Sequence, residues 1–127
     1  MPSIPADLGD EQYVLLTTYR RSGIGVPTPV WVVRDGDALV VGSPDHAGKV
    51  KRVRVSAKVT LQACGILGRP RRGSVPVDGR AELLVGRAAE DAIAPLRAKY
   101  GVQYRVLRTV GAFGKPGHLA VLRITTP

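Results

Sequence analysis

Residues 13–42 read YVLLTTYRRSGIGVPTPVWVVRDGDALVVG, and the three extended runs inside this stretch decide the fold class. Tyr13–Tyr19 is rich in β-branched and aromatic residues, and Arg20-Arg21-Ser22-Gly23 closes it with a turn. Val26–Val33 (VPTPVWVV) extends again. Its prolines, Pro27 and Pro29, lack the N–H that a central ladder needs, so this run predicts a strand that starts at an edge or lines an opening. Asp35-Gly36-Asp37 predicts a tight hairpin into Ala38–Gly42, because glycine supplies the positive φ of a primed turn. Connections this short leave no room for a crossover, so the pairing is antiparallel and a parallel βαβ sheet is excluded.

Outward from that stretch, Lys58–Ala63 (KVTLQA), Ser74–Val85 and His118–Ile124 (HLAVLRI) predict three more strands. Helical spacing is rarer. Ala88–Tyr100 predicts a helix that Pro95 kinks or breaks and Gly101 stops. Val102–Val110 predicts a second, with Val102, Val106 and Val110 on one stripe. Asp45–Val55 predicts a short third with Asp45 as its cap, and residues 2–12 a short opening helix. Six short strands with few helices predict a mainly β fold, a six-stranded antiparallel barrel, closed or nearly closed. A barrel this small fills its interior with side chains, so a sizeable ligand sits outside it or in a groove against a second subunit.

At 127 residues and 13.5 kDa the chain fits one domain, residues 1–127. An apolar fraction of 44% against 23% charged excludes a disordered chain. The longest apolar stretches, such as Val30–Val33, fall far short of a membrane span. Met1–Asp10 carries two acids and no base, which does not resemble a secretory leader. The single cysteine, Cys64, cannot build a disulfide framework. The expected compartment is a reducing cytoplasm.

Walker loops, Cys-x-x-Cys pairs and Gly-x-Ser-x-Gly elbows are all missing from the sequence. His46 and His118 are far apart and have no neighbours at metal-ligand spacing, so no metal is expected. No pair of carboxylates is spaced for acid–base work, and no catalytic side chain is assigned. Chemistry, if present, is then brought by a cofactor that the protein positions.

Charge points to an anion. The formal net charge is +9, and no acid occurs between Asp45 and Asp78. That interval holds Lys49, Lys51, Arg52, Arg54, Lys58, Arg69, Arg71 and Arg72. Such a field attracts a nucleic acid, an acidic surface or a multiply charged small molecule, or simply keeps a solvated face soluble. Within it, Gly42-Ser43-Pro44-Asp45-His46-Ala47-Gly48-Lys49 reads as a strand ending at a hydroxyl, then a small-residue turn, then a helix start with a lysine. A helix start offers free amides and partial positive charge to a phosphate.

The order of these pieces resembles a known family. TPVWVV after the first hairpin, the Lys49 turn with its basic helix leading into KVTL, and VDGRAELL are similar to the pyridoxamine 5′-phosphate oxidase-like (PPOX class) split β-barrels of the FMN-binding type. The likeness covers residues 11–125 and is strongest to the actinobacterial branch that uses the deazaflavin coenzyme F420.

The resemblance implies a homodimer with a cofactor groove at the subunit interface. Ser43 and Lys49 would hold the cofactor phosphate, Thr28, Pro29, Val30 and Trp31 would flank its ring system, and Lys51 and Arg52 would lie on the helix leading away. It implies an oxidoreductase that passes a hydride from reduced F420 to an unsaturated organic acceptor. F420 carries a phosphodiester and a tail of carboxylates, which suits an acid-free groove. One departure matters: the family's phosphate loop often carries Ser-Arg before the lysine, where this chain has Ala47-Gly48. That loses a cation and a hydroxyl and weighs against FMN.

The alternatives are FMN on the same fold, a carrier of F420 without turnover, and a small-barrel nucleic-acid binder. Against the last, none of the six aromatic residues is interleaved with the basic run, so no base-stacking platform is expected.

Overall fold

The computed structural model describes residues 6–127. A 3-10 turn, Ala6–Asp10, stands where an opening helix was expected within residues 2–12, and residues 2–5 lie outside the described residues. The strands are β1 (Tyr13–Tyr19), β2 (Gly25–Trp31), β3 (Val33–Asp35), β4 (Ala38–Pro44), β5 (Lys58–Cys64), β6 (Val77–Val85) and β7 (Leu119–Thr125). They form one antiparallel sheet in the order β2-β1-β5-β6-β7-β4-β3. β2 and β3 lie at opposite edges of that sheet, yet only Val32 separates them in the chain. The sheet must therefore curl until its edges meet, which makes it a half-barrel.

Seven strands replace the expected six because the Val26–Val33 run breaks at Val32. Its backbone is taken out of the ladder by side chains from far along the chain. The Val32 N–H donates to the Tyr100 hydroxyl at 3.1 Å. The Val32 carbonyl accepts from Lys99 Nζ at 2.7 Å and from the Tyr100 hydroxyl at 3.0 Å. Lys99 also donates to the Gly9 and Glu11 carbonyls, so its three ammonium hydrogens meet three acceptors. The corner is thus held from the end of a helix. The β3–β4 hairpin matches expectation, with Asp35 opposite Ala38 and Gly36 at φ 60°.

Alternation along the strands builds two cores. Val14 and Leu16 on β1, Val59 and Leu61 on β5, and Leu122 and Ile124 on β7 fill the barrel interior. On the other side of the sheet, the outer faces of β3, β4 and β7 are covered by α2 (Gly86–Ala92), α3 (Ala94–Tyr100) and α4 (Val102–Thr109). Ile93, Leu96 and Phe113 pack there against Val40 and Val121. Gly42 makes the approach possible, since a Cβ there would stand 2.8 Å from Ile93 Cδ1.

The single helix expected over Ala88–Tyr100 is two, broken at Ile93, with Pro95 in the first turn of α3 where its missing N–H costs nothing. α4 turns the opposite way from a simple reading of its valines. Val102, Val106 and Val110 are 66%, 55% and 72% exposed, while Tyr104 is buried against Phe113 at 5.4 Å between ring centroids. The larger aromatic ring buries more apolar area than a valine does, and it sets the rotation of the helix.

Candidate functional site

The remaining helix, α1 (Gly48–Val55), packs against β1 and β6. Val50 and Val53, three residues apart, bury one side of it and leave Lys49, Lys51, Arg52 and Arg54 on the others. Asp45 does not cap it. The N-cap is Ala47, with no side-chain bond to the first turn. Asp45 instead takes His118 Nδ1 at 3.1 Å, with His46 Nδ1 at 3.6 Å from its other oxygen. The two histidines, 72 positions apart by 118 − 46, therefore share one carboxylate beside the start of α1, a convergence that the sequence does not signal.

Three sources of positive potential meet at that helix start. No side chain caps the first turn, which leaves the Gly48 and Lys49 amides for an anion, while the Val50 N–H donates to the Ala47 carbonyl at 3.0 Å. The Lys49 ammonium is held below the usual lysine range, first by burial and then by the nearby Arg52 charge. Arg52 folds back over the turn, and its Nη1 lies 2.8 Å from where a Cβ on Gly48 would stand. Its Nε donates to Thr18 Oγ1 at 2.6 Å, and Thr18 is fully buried on β1. Arg52 thus brings its guanidinium over position 48, where glycine leaves it room. None of Lys49, Lys51, Arg52 and Arg54 has an acidic partner among the described residues. Like charges crowded together, with Lys49 desolvated and no acidic partner among the described residues, are poised for an anion.

The remaining predicted residues are not all brought to this place. Ser43 is buried and its hydroxyl donates to the Pro44 carbonyl at 2.9 Å, so it offers a phosphate nothing in this arrangement. Lys51 is exposed on α1. The four β2 residues divide between faces, as strand geometry requires. Thr28 pairs with Leu16 and Val30 with Val14, which turns both inward, and Val30 is buried in the interior. Pro29 pairs with Leu15 and Trp31 with Tyr13 on the outer face. Both prolines lie on a strand with one free edge, which they blunt.

The basic window is also divided. Lys58 opens β5 near α1, and its ammonium stands 5.0 Å from the Tyr19 ring centroid. Arg69, Arg71 and Arg72 lie beyond the other end of β5, and Arg71 pairs with Glu11 at 3.0 Å. Arg108 is internal bracing: it donates to the Tyr104 hydroxyl at 2.8 Å and to Glu90 at 2.5 Å.

The outer face of β2, β1 and β5 carries no helix. Tyr13, Leu15, Thr17 and Tyr19 line up there half-buried, beside Pro29, Thr60 and Gln62. From Thr18, which anchors Arg52, to the Tyr13–Trp31 pair is five residues of strand, roughly 17 Å. At that far end Trp31 stacks on Tyr100, with ring centroids 4.1 Å apart and planes within 6°. No group of three or more His, Cys, Asp or Glu side chains among the described residues is placed to hold a metal ion. No helix of the described residues is long and apolar enough to cross a membrane.

No family model matches the chain, and no curated protein matches it either. Solved structures do. An F420 reductase superposes with a TM-score of 0.66 at 16% identity, covering 100% of this chain and 97% of that one. A pyridoxamine 5′-phosphate oxidase-related, FMN-binding protein from Nostoc punctiforme gives 0.62 at 13% identity, covering 91% and 70%. HutZ, a heme storage protein from Vibrio cholerae, gives 0.68 at 13% identity, covering 94% and 84%. At these identities the likeness is one of fold, and one fold hosts several chemistries. The chain has the antiparallel half-barrel of the pyridoxamine 5′-phosphate oxidase-like split barrels, with seven strands.

Proposed function

We propose that this protein is an oxidoreductase that binds reduced coenzyme F420 and passes its hydride to an unsaturated organic acceptor. The observation that carries the reading is the desolvated Lys49 over the uncapped start of α1, with the Arg52 guanidinium close by. Neither is paired with an acid among the described residues, and nearby Asp45 is engaged by the two histidines. These groups fit a phosphodiester: one ammonium, one guanidinium fixed by Thr18, and the amides of Gly48 and Lys49. Lys51 and Arg54, further along α1, meet the carboxylates of the tail. Each charge-assisted contact contributes about 1.5–3 kcal/mol where solvent is excluded and less where it is not.

When bound, the reduced deazaflavin supplies the hydride. This chain supplies position: Lys49 and Arg52 fix the phosphate, and β2 from Thr28 to Trp31 runs alongside toward the Trp31–Tyr100 stack. The acceptor gains the hydride and one proton from water, so no side chain need act as acid or base. The bare outer face of β2, β1 and β5 forms the homodimer contact, which places each cofactor groove between two copies. A half-buried sheet face without a helix, carrying Tyr13, Leu15, Tyr19 and Pro29 among neutral polar residues, suits such a contact.

FMN on the same cradle is the second reading, favoured by the FMN-binding protein that shares the fold. Titration separates the two. The purified protein is expected to bind F420 with micromolar or tighter affinity, weakening as salt rises, and to carry no yellow flavin. Bound FMN with oxidised-flavin absorbance and no response to F420 would replace the first reading with the second.

A further inference from the structure

An open recess of about 380 Å³ lies between Trp31 and α4, at the seam where the helix-covered half of the sheet meets the bare half. Tyr13 and Trp31 form its aromatic side, and Val102, Val106 and Leu107 its aliphatic side. Gln12 and Gln103 bring neutral amides to it, and no charged residue lines it. That absence is notable in a chain with a formal net charge of +9. Trp31 cannot turn away, because its ring is stacked on Tyr100, and the Tyr100 hydroxyl is itself tied to Val32 and Gln12. No buried side-chain polar atom among the described residues lacks a partner. The Trp31 indole N–H makes no bond within the described residues, so it stands open to solvent and to a ligand.

We infer that this recess binds a neutral, flat molecule of fused rings, and that this molecule is the hydride acceptor. The word acceptor rests on the function proposed above; the binding does not. Two aromatic rings, one of them held by stacking, and three aliphatic side chains favour a flat apolar body. The volume admits roughly two or three fused six-membered rings. The indole N–H and two amides meet carbonyl or hydroxyl groups on its edge. An anion finds no cation here, in contrast to the cradle roughly 17 Å away along β1. With Tyr104 turned inward, Val102 and Val106 stay exposed on α4 and serve as a wall of the recess rather than as core.

The chain has one tryptophan, so its indole N–H gives one resonance that needs no assignment. Titration of the ¹⁵N-labelled protein with 2-naphthol is expected to shift that resonance saturably, whereas naphthalene-2-sulfonate leaves it in place. Val106→Asp, at a position 55% exposed, is expected to weaken the 2-naphthol response at least 10-fold while the spectrum stays folded and F420 affinity is unchanged. The shift is expected to persist with F420 present. Displacement of 2-naphthol by F420 would overturn the proposal, because the recess would then be the seat of the cofactor ring. So would an equal response to the sulfonate, or a Val106→Asp variant that binds 2-naphthol normally. A protein that binds 2-naphthol but not F420 keeps the recess and loses the proposed function. One that binds F420 but not 2-naphthol does the reverse.

Discussion

The two halves of the sheet differ on their outer side and agree on their inner one. Both pack aliphatic residues into the barrel interior. Outside, β3, β4 and β7 lie under α2, α3 and α4 with Ile93, Leu96 and Phe113 fully or nearly fully buried. Outside β2, β1 and β5, by contrast, Leu15, Thr17 and Pro29 are only half-buried. The covered half has the character of core, whose substitution should cost stability. The outer face of the bare half has no packed layer over it, and substitution there should cost binding or assembly instead.

That contrast can be broken in several ways. The largest effect belongs to Ile93→Ala, which removes a fully buried side chain between α2 and the sheet. A loss of about 2–5 kcal/mol is expected in denaturant unfolding. Tyr100→Phe comes next, since it leaves the buried Val32 N–H without its acceptor, at about 1–3 kcal/mol.

Tyr100 also sets a pH dependence. Burial, with a small further rise from Tyr13 and a partial offset from the Val32 bond, pushes its phenol up to about 12 from an ordinary 10. Between those values the unfolded chain has released a proton that the folded one keeps, so stability falls as pH rises from about 10 to about 12. Alkaline unfolding of the native protein should show that step, and Tyr100→Phe should lack it. Leu15→Ala, on the bare half, should change stability by about 0.5 kcal/mol or less in the same unfolding measurement. It should instead raise the fraction of monomer in sedimentation. A Leu15→Ala loss as large as that of Ile93→Ala would erase the distinction between the halves.

Most of the β architecture was legible in the sequence because it is written in local chemistry. Pro27 and Pro29 could not serve a central strand, and β2 is an edge. Pro95 could not continue a helix, and α3 begins one residue before it, at Ala94. The acid-free interval marked α1, where the cations do gather. What was not legible depends on partners distant in the chain. The break at Val32 is imposed by Lys99 and Tyr100, 67 and 68 positions away. Period-two alternation was visible along β2, but it divides Thr28 and Val30 from Pro29 and Trp31, which no list of neighbouring residues conveys.

Ser43 looked like a strand-end hydroxyl; its register opposite Ala120 faces it into the barrel. Arg52 looked like one more helix cation, and only the fold brings it to Thr18. The valine stripe of α4 was visible as a stripe, but a stripe does not say whether it faces core or solvent. A paired count of large side chains on the two sides of α4, with Tyr104 and Leu107 opposed to the valines, was the signal that would have set its rotation.

The central claim is that the start of α1 holds the phosphate of an anionic redox cofactor through Lys49 and Arg52. Calorimetric titration of the native protein and of Lys49→Ala with F420 tests it most directly. The variant should remain folded, because it loses a charge whose desolvation the fold bears without a partner. Its affinity should fall by about 10- to 100-fold, the equivalent of one charge-assisted contact. An unchanged dissociation constant in Lys49→Ala, or no heat from native protein with either F420 or FMN, would contradict the account.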